Sequence, residues 1–179
     1  MKRFQKISLP LWGAFLAAVL LAGASTLLAL WCQPNALRSV LAGFRAQPLL
    51  IVLNALPVGL VLLAFAFLLR NVFWGAALSN LLVGALSIAN RIKIEIRDEP
   101  VFPRDAALLK ELGQAMGDYT IHYPVLAIVL VVGFSLLLAA AGVFIGSEPC
   151  PIAKLRGWVG RLLGCAASVA VFVGLIFTV

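Results

Sequence analysis

The chain has 179 residues, 63% hydrophobic and 12% charged, with a net charge of +7. Soluble domains sit near about 45–50% apolar and about 25% charged, so a soluble globular fold is excluded. The basic balance does not point to nucleic acid either, because the bases are scattered through the connections between apolar runs and form no stripe with interleaved aromatics.

The mean hydropathy of +1.09 comes from several uninterrupted runs. A helix needs roughly 20 apolar residues to cross the hydrocarbon core. A transmembrane barrel would instead show alternating segments of about 10 residues. The runs do not alternate, so the expected fold is an all-α membrane protein, a five-helix transmembrane bundle with an interfacial amphipathic helix between spans three and four.

A basic tail, "MKRFQKISLP", precedes the first span, 9–31, which carries Trp12 and Trp31 near its ends at headgroup depth. The small residues of "AGAS" invite a secretory signal, but the apolar run is too long for one and further spans follow. A connection, "CQPNALRSVLAGFRAQ", leads to the second span, 48–69. Arg70 and Asn71 make a tight turn into the third, 72–89, so these two spans form a hairpin.

Then comes "NRIKIEIRDEPVFPRD", Asn90 to Asp105, in which eight of sixteen residues are ionisable. Between Arg91 and Arg97 charges alternate with Ile92, Ile94 and Ile96, which suits an extended surface piece. Asn90, Lys93 and Arg97 are also spaced to share a helical face, so a prolonged third helix is the other possibility. Pro100 ends either arrangement. Past Pro103 the chain reads as an amphipathic helix capped by Asp105. Its apolar stripe is Ala106, Leu108, Leu109, Leu112 and Met116, and Lys110 and Glu111 face water. Residues 90–122 together make a surface platform before the fourth span, 124–145. A loop, "GSEPCPIAKLRG", leads to the fifth, 158–179.

Five spans put the termini on opposite sides. Lys and Arg divide seven against seven between the two sides, and the flanks of the first span place the N-terminus inside by three to two. Among the polar residues in the spans, Asn54, Ser79 and Asn80 are expected to hydrogen-bond neighbouring helices rather than line a path. His122 is a lone interfacial histidine, and Cys32, Cys150 and Cys165 form no metal or redox motif. Cys165 reads as a small core residue. Arg161, in the first turn of the last span, snorkels to the interface.

Asn90, Lys93, Arg97, Pro100 and Asp105 spell N-x-x-K-x-x-x-R-x-x-P-x-x-x-x-D, after a third span and before an amphipathic helix. This resembles the membrane region of the bacterial lipoteichoic acid synthase (phosphoglycerol transferase) family, and the order of parts matches over essentially the whole chain. The resemblance implies a bacterial cell-membrane protein with its N-terminus cytoplasmic and its C-terminus extracytoplasmic. It also implies a sulfatase-like catalytic domain after residue 179, with a threonine nucleophile and manganese. That domain would move glycerol phosphate from phosphatidylglycerol to a polymer. No catalytic residue carries over to this chain, which is expected to be the membrane domain of a longer enzyme. Arg91, Lys93, Arg97 and Arg104 then attract anionic phosphatidylglycerol, or pair with Glu95, Asp98, Glu99 and Asp105 and order the linker. The alternatives are a small multi-pass transporter subunit and a non-enzymatic membrane scaffold.

Overall fold

The structure, a computed structural model, describes residues 7–33, 42–101, 123–146 and 157–178. Its helices are α1 (Leu11–Trp31), α2 (Leu49–Leu69), α3 (Val72–Arg97), α4 (Val125–Phe144) and α5 (Trp158–Thr178). All five are long and apolar enough to cross a membrane, so this is an all-α, multi-pass membrane protein. The predicted amphipathic helix, with Arg104, Asp105, Lys110 and His122, lies outside the described residues, and so does Cys150.

Local chemistry sets the helix starts and stops. Pro10, Pro48 and Pro124 stand immediately before α1, α2 and α4, where a missing N–H costs no helical bond. α3 begins with a side-chain cap instead: Asn71 Oδ1 accepts from the backbone N–H of Phe73 at 2.8 Å and of Trp74 at 3.4 Å. The 70–71 turn works because Arg70 takes the left-handed conformation, φ 57°, and closes α2.

Four spans fall where the sequence places them, but α3 does not stop at Ala89. It runs to Arg97, about 12 Å further along the axis. The alternation of isoleucine with charge is short. Ile88, Ile92 and Ile96 carry on one four-residue stripe, and Arg91 pairs with Glu95 one turn on at 2.8 Å. Asp98 ends the helix in the left-handed region, φ 53°, with its N–H on Ile94 O, and Pro100 bars continuation.

Bilayer lipid is as apolar as leucine, so packing density rather than oil-from-water transfer holds such helices together. Most buried positions are accordingly small, among them Ala14, Ala18 and Ala22 on α1, Ala66 on α2, Ala76, Ala77 and Ser79 on α3, and Ala127 and Ser135 on α4, with Val58, Leu62, Val72, Val131 and Leu138 filling the space between them. Large side chains such as Phe15, Leu20, Leu136 and Leu137 point outward. α3 is the hub, packed on α1, α2 and α4, and its apolar window is 44% buried against 6% for α5, which leans on α2 at the edge. Gly75 lets α3 close on α2, since a Cβ there would stand 2.6 Å from the backbone nitrogen of Ala66.

Two ends of the bundle can be told apart. At one, β1 (Ile7–Ser8) pairs in parallel with β2 (Ile145–Gly146), and Leu9 N–H donates to Gly146 O at 2.9 Å. The 70–71 turn shares this strand end: Asn71 Nδ2 donates to the carbonyls of Gly142 at 3.0 Å and Ile145 at 2.9 Å, closing the C-terminus of α4. The opposite, motif end holds the close of α1, the projecting turns of α3 and the start of α4.

Candidate functional site

At the motif end, α3 outlasts its neighbours and its last turns carry the charged segment. Asn90 is the centre of a small amide network. Its Nδ2 donates to Gln33 Oε1 at 2.8 Å, and its Oδ1 accepts from the backbone N–H of Val101 at 2.8 Å. Gln33, just past the end of α1, donates through Nε2 to Ser87 Oγ at 2.7 Å and to the Ser87 carbonyl at 3.2 Å. Ser87 Oγ in turn donates to the carbonyl of Ala29 at 2.6 Å, giving a donor to a carbonyl that the α1 terminus leaves open. Lys93 Nζ donates to Pro100 O at 2.8 Å.

These bonds do two things. They staple the end of α1 to α3, and they fold residues 98–101 back along the last two turns of α3. Asn90 suits the work because an amide donates and accepts at once. Lys93 reaches Pro100 because proline leaves its carbonyl free of any continuing helix. The N-x-x-K and following proline of the motif therefore meet in one hydrogen-bonded turn. Arg91 sits beside them, with Nε on Glu95 Oε1 in a half-exposed pair of a kind that contributes about 0–1 kcal/mol. Arg97 is the last residue of α3. Arg104 and Asp105 lie outside the described residues.

Cys32 lies under this network, fully buried with Ala127 and Val131 and with Leu28 and Ile88 around it. Burial pushes its thiol up, and the Arg91 charge pulls part of the way back. The network itself holds amides, a hydroxyl and carbonyls, with no nucleophile and base in contact. Among the described residues no three His, Cys, Asp or Glu come together to hold a metal. This set of donors does not fit manganese.

No family model, curated protein or solved structure matches this chain.

Two of its members, Gln33 and Ser87, were not singled out by the sequence. Gln33 stands in a connection and Ser87 in an apolar run, and only the crossing of α1 on α3 joins them. Of the polar residues inside the spans, Asn80 Nδ2 donates to Val131 O at 3.1 Å and Ser135 Oγ at 2.8 Å, and Ser79 Oγ reaches Val58 O at 3.4 Å. These bonds run between helices as expected. Asn54 does not follow. Its Nδ2 turns back to Leu50 O at 2.8 Å, because its side of α2 is exposed, with no helix opposite among the described residues. Cys165 is half-buried in a groove between α5 and α2 rather than in the core.

Proposed function

We propose that this chain is the membrane domain of a lipoteichoic acid synthase-like phosphoglycerol transferase of the bacterial cell membrane. Its N-terminus is then cytoplasmic and its motif end faces outward. The observation that carries this reading is the meeting of Asn90, Lys93 and Pro100 in one turn. The spacing that prompted the resemblance thus has a geometric use, which is to fix how the chain leaves the third span. In such an enzyme the exit sets the platform under a sulfatase-like catalytic domain that follows residue 179 and brings its own threonine and manganese. Phosphatidylglycerol is the donor, held among the lipids around the platform.

For Arg91 and Lys93 the contacts favour ordering the platform over attracting lipid, since one is paired with Glu95 and the other with Pro100 O. The buried polar groups Ser79 and Asn80 bond across helix interfaces, which favours an anchor over a transport path. Sequencing the gene beyond the codon for Val179 tests the reading. An open frame into a domain of several hundred residues, with a threonine among metal-binding carboxylates and histidines, is the expected result. A stop codon there, together with no transferase activity in the 179-residue product, would overturn it.

A further inference from the structure

At the strand end, on the far side of the bundle from the motif, α5 and α2 leave an apolar groove of about 330 Å³ facing outward. From α2 it takes Leu60, Ala64 and Leu68, and from α5 Cys165, Val169 and Phe172. Both sets recur about every four residues, so each is one stripe of its helix. The helices run in opposite directions. Leu68 and Cys165 therefore stand near the strand end, while Leu60 and Phe172 lie deeper.

Arg161 is one turn before Cys165 on the same stripe. Its guanidinium is held over the Trp158 ring, 5.5 Å from the centroid, and its Nε is buried with no hydrogen-bond partner. A buried, unpaired donor on a permanent cation is costly unless an acceptor arrives from outside the chain. The position selects that acceptor. From Arg161 to Phe172 is about 16 Å along the helix, roughly one leaflet of a core about 30 Å thick. A cation and an indole at headgroup depth, above a purely apolar trough one leaflet deep, match a phosphate ester joined to an acyl chain.

We propose that this face of α2 and α5 binds one anionic phospholipid of the leaflet at the strand end, with its phosphate on Arg161 and one acyl chain in the groove. A guanidinium fork matches phosphate oxygens in pairs, and Trp158 fixes its plane. A zwitterionic headgroup brings its own ammonium to the same phosphate and gains less. The site needs only that the helices cross a membrane, so it stands or falls apart from the transferase reading.

The test is native mass spectrometry of the full chain in detergent micelles, titrated with phosphatidylglycerol and phosphatidylcholine of the same acyl chains. The wild type is expected to retain one phosphatidylglycerol with a preference of about fivefold, the size set by one basic residue at an anionic surface. Arg161→Gln is expected to abolish the preference, and Arg161→Lys to keep part of it. Val169→Trp, which fills the trough from an exposed position, is expected to lower retention of both lipids with Arg161 intact. Equal preference in Arg161→Gln and wild type would overturn the proposal. An equal loss in Arg45→Gln, at the opposite end of α2, would do so too, since net charge would then be the cause. A dimer that Val169→Trp converts to monomer would assign the groove to a second copy instead.

Discussion

Asn80 and Ser25 are both buried polar residues at membrane depth, and they are in opposite situations. Asn80 donates twice into α4, whereas Ser25 Oγ has no hydrogen-bond partner. Bonds between membrane helices contribute about 0.6–2 kcal/mol, and an unsatisfied hydroxyl contributes nothing to offset its burial. Asn80→Leu is therefore expected to lower unfolding stability in a detergent titration by that amount. The loss should stay near the lower figure, because Ser135 keeps its own bond to Val131 O at 2.8 Å. Ser25→Ala should cost nothing or stabilise, and a clear loss would contradict the assignment. Cys32 gives a second check at this scale. The thiolate is the reactive form, and burial holds the folded thiol above its unfolded pKa. The stability this contributes is present below the unfolded pKa and is lost as pH rises through the folded value. Maleimide labelling mapped by peptide mass should find Cys32 protected at mildly alkaline pH until the chain is unfolded. Labelling as fast as in the unfolded chain would contradict its burial.

At the scale of the element, close approach does the work that transfer free energy does in water. A Cβ on Gly84 would stand 2.5 Å from Val131 Cγ1, a side-chain atom, while one on Gly75 would meet the Ala66 backbone. Gly84→Ala is expected to destabilise by about 1–3 kcal/mol through overpacking. Val131→Ala in the same chain should restore part of that, and no partner truncation should rescue Gly75→Ala; thermal unfolding of these variants in detergent measures this. The spans were legible in the sequence because a run of some 20 apolar residues has little other use. The end of the third was less so. Seven residues alternating Ile with charge satisfy a strand period, and only their continuity with Ile88 gives the helix. Gln33 and Ser87 were not legible, since neither has a local pattern and their meeting depends on a crossing of α1 and α3. Asn54 and Asn80 look alike as single polar residues in apolar runs, and which faces a partner is decided by the third dimension.

Across the whole molecule, small residues converge on α3 and each end is closed by asparagine. Asn71 closes the strand end through α4, and Asn90 closes the motif end through Gln33 and Val101. The bundle is thus tied at both faces of the membrane, while α5, packed on α2, keeps an outward groove. In the proposed enzyme Asn90 has no chemical step, and its work is to fix how the chain leaves the third span beneath the catalytic domain. Asn90→Ala should leave the five helices in place, remove two hydrogen bonds and free residues 98–101. In the proposed transfer a phosphodiester bond to diacylglycerol breaks, a bond to an acceptor hydroxyl forms, and the acceptor proton ends on the released diacylglycerol. The most direct measurement reconstitutes the full product of the gene in vesicles with labelled phosphatidylglycerol and follows diacylglycerol and polymer together. Release of both in step, reduced in Asn90→Ala with the protein still folded, is the expected result. Intact phosphatidylglycerol after incubation with the folded, full-length wild type would contradict it.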